Sequence, residues 1–109
     1  MAKHEFGIMQ EAPQAGQRYD SYEPWKYHCI SVDDAYMEDI VCHFCHIDCC
    51  RHATDLRGKG LAYCGITLIP PESLGTFIDV IRDMQELAAL EALLKKAIRE
   101  NKWVIHFGI

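Results

Sequence analysis

Apolar and polar positions follow one another along the chain in patterns that predict strands and amphipathic helices. Residues 27–32 are typical of a strand, and an apolar stripe with a spacing of four comes next: Tyr36, Ile40 and Phe44. That spacing places the three side chains on one helical face, so a first helix is predicted here. Ser31, three residues before Asp34, resembles a capping pair and predicts the start of the helix.

A β-hairpin is predicted after this helix. Residues 47–53 are expected to be extended, 54–60 are rich in turn-forming residues, and 61–69 form the clearest strand of the chain. Counting inward from the turn places Cys50 opposite Cys64, with both side chains on one face of the sheet.

The C-terminal third predicts two helical stretches and a last strand. The first stretch begins at Pro71, a break is expected near Asp83, and the second stretch ends near Asn101. Residues 103–107 then form the last strand. The order is β-α-β-β-α(α)-β, which predicts an α+β domain over 27–109. Its sheet is expected to be ferredoxin-like and antiparallel, with helices on one face.

Residues 1–26 are expected to form an arm that packs on this domain. They are irregular apart from a short strand suggested at 6–9, and they end in an aromatic run: Tyr19, Tyr22, Trp25 and Tyr27. Ile66 and Leu68 are expected on the helix side of the sheet. The helices can cover only one face, so either the arm or a second subunit must cover the other. We expect a homodimer.

Composition and charge narrow the range of partners. Half of the 109 residues are hydrophobic and the net charge is -5 at pH 7. Because phosphate binding needs a basic surface, neither nucleic acid nor anionic membrane is expected as a partner. No apolar run reaches the length of a membrane span, and the first residues do not resemble a secretory signal. We therefore expect a cytoplasmic protein with reduced cysteines rather than a disulfide framework.

Candidate metal ligands are concentrated in residues 42–52, the cysteine–histidine cluster, which holds four of the six cysteines and three of the six histidines. Cysteine and histidine are the ligands that zinc prefers, and two cysteines three residues apart form half of a zinc knuckle. A second ligand pair at the usual separation is missing, and the first falls in a predicted helix. The leading expectation is therefore that the protein binds no cofactor. Zinc is the alternative, with these candidate ligands: Cys42, Cys45, His46, Cys49 and His52.

Two other interpretations of the cluster are disfavoured. The run 42–46 matches the haem-attachment pattern C-x-x-C-H, but that attachment takes place outside the cytosol. A redox pair is usually placed at a helix N-terminus, whereas these cysteines fall near a predicted C-terminus, where the helix dipole disfavours a thiolate. The leading interpretation is structural, since buried cysteine packs like a small hydrophobic residue.

Two runs, 60–73 and 101–109, are similar to a group of short uncharacterised bacterial proteins. The resemblance spans most of the chain and implies no activity and no site residues. Catalytic residues therefore stay unassigned.

The leading expectation for function is a small non-catalytic protein, a binding, regulatory or immunity-type module that acts through the open sheet face on a protein or small-molecule ligand. Zinc binding by the cluster is one alternative. A small enzyme with a pocket between the open sheet face and the arm is another, and its candidate pocket residues are these: His28, Asp48, His52, Tyr63 and His106. Fold alone does not decide among these functions.

Overall fold

One six-stranded sheet and three α-helices are formed by residues 2–109, the part of the chain that this computed structural model describes. The elements in chain order are β1 (Lys3–Ile8), β2 (Ile30–Asp33), α1 (Asp34–Glu38), β3 (Asp48–Arg51), β4 (Ala53–Lys59), β5 (Ile66–Ile69), α2 (Pro71–Ile81), α3 (Ala88–Glu100) and β6 (Val104–Phe107). Short 3-10 helices lie at Pro24–Tyr27, Val41–Phe44 and Gln85–Leu87. None of the described helices is long and apolar enough to cross a membrane.

The strands are all antiparallel and lie in the order β2-β1-β6-β5-β3-β4. The α+β class with an antiparallel sheet is therefore confirmed. The ferredoxin-like arrangement is not confirmed, because the sheet has six strands rather than four. That arrangement would place β5 beside β2, whereas here β5 pairs with β6 and β3, and β1 separates β6 from β2.

The two additional strands lie outside the four strands predicted for the domain, although β1 overlaps the short strand suggested at 6–9. β1 lies within residues 1–26, the expected arm, and β4 occupies most of the expected turn at 54–60. The chain reverses earlier, at His52, whose φ of 64° lies in the left-handed region. Because of this earlier reversal, β3 pairs with β5 and Cys50 lies opposite Leu68 rather than opposite Cys64. The predicted cysteine pairing is wrong.

The first predicted helix is divided into α1 and the 3-10 helix at Val41–Phe44. Asp33 rather than Ser31 caps α1, since its Oδ1 accepts a hydrogen bond from the backbone N–H of Ala35 at 2.9 Å. Tyr36, expected in the buried stripe, is 43% exposed. The other two helices agree with the sequence, with the break between α2 and α3 near Asp83.

Apolar side chains pack on both faces of the sheet. The first core lies between the sheet and the helices, and the strand residues in it include Phe6, Ile8, Val32, Cys49, Ile69 and Val104. The second core lies on the opposite face and contains Met9, Cys50, Ile66, Leu68, Ile105 and Phe107. Ile66 and Leu68 therefore face away from the helices, contrary to expectation.

Residues 9–29, which we call the N-terminal segment, cover the second core. Tyr19, Tyr27 and Cys29 pack against it, as does Trp103 from the residue before β6. The sheet face that was expected to be open is therefore occupied by the chain itself.

A close backbone approach joins the residue after β6 to the loop before β5. The N–H of Gly108 donates to the carbonyl of Gly65 at 2.7 Å, and the N–H of Ile109 donates to that of Tyr63 at 3.0 Å. A Cβ atom on Gly108 would lie only 2.3 Å from the Tyr63 carbonyl oxygen. Glycine is therefore required at 108 to hold the loop that carries Tyr63 in this position.

We expect Gly108→Ala to lower the free energy of unfolding by about 1–3 kcal/mol, because backbone atoms must move to accommodate the methyl group. Gly75→Ala in α2 is the matched control, since nothing lies within 4 Å of its Cβ position. That change should raise the free energy of unfolding by about 0.5–1 kcal/mol through helix propensity. Urea unfolding followed by circular dichroism measures both, and equal effects would contradict the close approach.

Candidate functional site

The cysteine–histidine cluster is spread over three environments. The first four cysteine and histidine residues of the cluster, on and after the 3-10 helix at Val41–Phe44, are exposed: Cys42, His43, Cys45 and His46. Cys49 and Cys50 are buried in β3 and point to opposite faces, as strand alternation requires, so one lies in each core. Within residues 2–109, no three His, Cys, Asp or Glu side chains are grouped to hold a metal ion. The five predicted zinc ligands are therefore not brought together.

Burial keeps two of the thiols protonated, and His52 has a structural role. Burial raises the pKa of Cys49 to about 12, and it does the same for Cys29, so neither forms a thiolate at neutral pH. His52 Nδ1 lies 2.9 Å from Asp20 Oδ1, and the His52 carbonyl accepts the N–H of Tyr19 at 2.7 Å. This predicted metal ligand therefore fastens the N-terminal segment to the sheet.

Five polar side chains, which we call the histidine chain, connect the helix-facing side of the sheet to α1: Tyr63, Asp34, His4, His106 and Thr67. His106 in β6 lies opposite Thr67 in β5. His4 Nδ1 is 2.9 Å from His106 Nε2, and His4 Nε2 is 2.9 Å from Asp34 Oδ1. His106 Nδ1 is 3.4 Å from Thr67 Oγ1, and the Tyr63 hydroxyl donates to Asp34.

The proton positions in the histidine chain follow from its end groups. An ionised carboxylate only accepts, so the Tyr63 hydroxyl and His4 Nε2 both donate to Asp34. His4 Nδ1 then accepts from His106 Nε2, and His106 Nδ1 accepts from the Thr67 hydroxyl. The Thr67 oxygen accepts a backbone N–H at 2.7 Å. With both imidazoles neutral, every hydrogen bond in the chain points towards Asp34.

The pKa values of these groups agree with that order. Hydrogen bonds from Tyr63 and His4 lower the pKa of Asp34, and the bond to Asp34 raises the pKa of Tyr63 to about 12. Burial, together with the neighbouring His4, lowers the pKa of His106 to about 3. The Asp34 carboxylate therefore stabilises the fold at neutral pH, and this contribution is lost as the pH falls through its lowered pKa.

The inner part of the histidine chain is closed to substrates, whereas Asp34 and Tyr63 at its outer end are partly exposed. His4, Thr67 and His106 are each 0% exposed, and the cavities described below are lined by other residues. A catalytic acid or base must come within hydrogen-bond reach of its substrate. The sequence predicted Tyr63 and His106 as pocket residues, and the structure instead joins them in the histidine chain. His4, Asp34 and Thr67 were missed because their proximity depends on the pairing of β1 with β2 and β6, and of β5 with β6.

Two adjoining cavities border the N-terminal segment, and together we call them the groove. The first has a volume of about 480 Å³, and its lining includes Gln10, Gln14, Gln17, Tyr19 and Tyr27. The second has a volume of about 410 Å³ and lies between the end of β1 and α3, with a lining that includes Ile8, His28, Ala92, Leu93 and Lys96. Gln10 and Tyr27 line both cavities.

Tyr27 forms the wall between the cavities because β1 has a glycine beneath it. A Cβ atom on Gly7 would lie 2.6 Å from Tyr27 Cβ, so a larger residue at this position would push the tyrosine outwards. The Tyr27 ring centroid lies 6.0 Å from that of Phe107 in the second core. Burial raises the pKa of Tyr27, so its phenol stays neutral and can donate or accept a hydrogen bond.

The remaining predicted pocket residues are dispersed. His28, with a φ of 49°, lines the second cavity of the groove. Asp48 is exposed, forms an ion pair with Lys59 that lowers its pKa, and lines a cavity of about 260 Å³ near the start of α2. No single pocket joins Asp48 and His28 to the other three predicted pocket residues, since His52 lies at the hairpin and Tyr63 and His106 belong to the histidine chain.

We expect the free energy of unfolding to decrease as the pH falls from 6.5 towards 4. Unfolded His106 takes up a proton near the ordinary histidine pKa of 6.5, whereas the folded residue stays neutral until its pKa of about 3. This group alone contributes a slope of up to about 1.4 kcal/mol per pH unit. His106→Gln should reduce the slope of urea-unfolding free energy against pH, and His43→Gln on the surface should not. Identical slopes in the wild type and His106→Gln would refute the buried neutral state.

We expect protein purified without metal affinity to contain less than one zinc per chain by native mass spectrometry. Chelator should leave its melting temperature unchanged, and so should Cys42→Ser, because Cys42 is exposed and its candidate partners are apart. Stoichiometric zinc that is lost in Cys42→Ser would show that the cluster assembles around a metal.

Comparison with known proteins provides no relative from which a role could be transferred. No protein-family model matches the chain, and no curated protein or solved structure matches it. The similarity of 60–73 and 101–109 to short bacterial proteins therefore stays a prediction. The function of the chain has to be inferred from the geometry of the groove and the histidine chain.

Proposed function

We propose that this chain is a small non-catalytic binding protein whose ligand site is the groove. The observation that carries the proposal is the pair of cavities, about 480 and 410 Å³ in volume, that share Gln10 and Tyr27 as a common wall. Ligand sites usually have volumes of this order and combine apolar walls with a few polar groups. The amides and phenols of the first cavity supply hydrogen bonds, and the second cavity supplies apolar surface.

The chemistry of the lining favours binding over catalysis. Gln10, Gln14 and Gln17 form hydrogen bonds but do not exchange protons at neutral pH. Lys26 is engaged by Glu23 at 2.9 Å. The titrating groups of the histidine chain lie elsewhere. Glu11 in the first cavity and His28 in the second can act as acid or base, but both are exposed, and among the described residues neither side chain forms a hydrogen bond or ion pair with another side chain. A small enzyme is therefore the weaker alternative, and a zinc-binding protein is weaker still because the candidate ligands lie apart.

The position of the groove suggests how binding would act on the rest of the protein. The N-terminal segment both lines the first cavity and covers the second core. A ligand in the groove would therefore stabilise the segment in its packed position on the sheet, which is the kind of response that a regulatory or immunity-type protein uses. We further propose that the protein acts in the cytoplasm and that its ligand is a small molecule or a protein.

The structure gives less support to a homodimer than the sequence did. The argument for it was an uncovered apolar face, and that face is packed by the N-terminal segment. The exposed aromatic residues Tyr22 and Trp25 on this segment leave a second copy as a candidate partner. Sedimentation at several concentrations measures the association directly.

The binding proposal is tested by titrating benzamide, phenol and butyrate into ¹⁵N-labelled protein. At about 10 mM, the affinity range of small fragments, at least one probe should shift amides near Gln10, Tyr27 or Leu93. Ala12→Trp should abolish binding of any probe that occupies the first cavity, since Ala12 lines it. Ala15→Trp is the matched control, because Ala15 is exposed and lies outside the lining. Shifts confined to residues outside the groove, or no shifts at all, would refute the proposal.

A further inference from the structure

We propose that the groove binds an amphiphilic carboxylate, with its apolar chain in the second cavity and its carboxylate at Lys96. The inference rests on the proposed function and specifies the class of ligand. It combines two observations about the same cavity, the apolar wall on one side and an uncompensated positive charge at the rim.

The apolar wall is built by residues from three parts of the chain. Ile8 comes from the end of β1, Ala92 and Leu93 come from α3, and Tyr27 comes from the N-terminal segment. Leu93 also packs against the first core, so the cavity continues the apolar interior outwards. A ligand that is polar throughout would leave this surface wet, whereas a hydrocarbon chain would remove it from water.

The charge at the rim of the cavity comes from Lys96. Two nearby lysines, Lys95 and Lys102, have carboxylate partners, Glu91 at 2.7 Å and Glu100 at 3.2 Å. Among the described residues, no carboxylate lies within 4.0 Å of the Lys96 ammonium group. In a chain with a net charge of -5, an unpaired lysine beside an apolar cavity favours an anionic ligand and disfavours a cation.

Gln10 provides a second donor for the same carboxylate. Its side-chain oxygen accepts a hydrogen bond from Lys102 Nζ at 2.6 Å, so the amide oxygen is already engaged. The amide nitrogen is then available to a ligand, and Gln10 lines the same cavity as Lys96. A carboxylate can accept from an ammonium and an amide donor at once, whereas an alcohol replaces neither the charge nor the second acceptor oxygen.

The test uses octanoate, butyrate and 1-octanol as probes, each titrated into the full chain and followed by amide shifts and calorimetry. Octanoate should bind at the second cavity at least about tenfold more tightly than butyrate, because four more methylenes leave water. It should also bind more tightly than 1-octanol. Lys96→Gln should weaken octanoate about three- to tenfold and leave 1-octanol unchanged. Lys95→Gln, one residue away and outside the lining, should change neither.

A second pair of variants tests the position of the chain. Ala92→Glu places a negative charge in the wall and should weaken octanoate about tenfold or more, whereas Ala89→Glu, exposed on the same helix, should not. Equal affinities for octanoate and 1-octanol, or equal effects of Lys96→Gln and Lys95→Gln, would overturn the carboxylate assignment. If octanoate fails while benzamide or phenol still shifts the groove, only this inference is wrong. If no probe shifts the groove, the proposed function fails with it.

Discussion

The structure depends on the need to cover a sheet that is apolar on both faces. The helices cover only the face that carries the first core. Ile66, Leu68, Ile105 and Phe107 on the other face would otherwise expose a contiguous apolar surface. The N-terminal segment satisfies this need, and the other features of that side follow from it. Gly7 lets Tyr27 lie against β1, His52 fastens the segment at Tyr19, and the groove remains where the segment leaves the sheet.

The sequence predicted those parts of the fold whose signals are local. The stripes of α2 and α3, the break near Asp83 and the last strand were all present in the apolar pattern. The α+β fold class was predictable for the same reason. The strand order was not, because it depends on pairing between distant segments, and a reversal at His52 shifted the hairpin by several residues. A histidine that adopts the left-handed conformation cannot be recognised from the sequence. The glycines at 58 and 60, by contrast, predicted the turn at 54–60.

The candidate sites were less predictable than the fold, for a related reason. The cysteine–histidine cluster is conspicuous because its residues are adjacent in sequence, but strand alternation sends Cys49 and Cys50 to opposite faces. The histidine chain is inconspicuous because His4 and His106 lie 102 residues apart. Local proximity in the sequence therefore pointed to groups that the fold separates. The groove arises from the path of an irregular segment, which no periodicity describes.

The placement of β1 beside β6 also determines when the sheet can form. These two strands come from opposite ends of the chain and lie next to each other inside the sheet. Until the residues of β6 have been synthesised, β1 and β2 can pair only with each other, and β3, β4 and β5 form a separate group. Closing so long a loop is entropically slow, and partly built sheets expose unpaired edges. During synthesis, the two incomplete halves of the sheet therefore stay separate until β6 is available to join them, and until then both are open to aggregation.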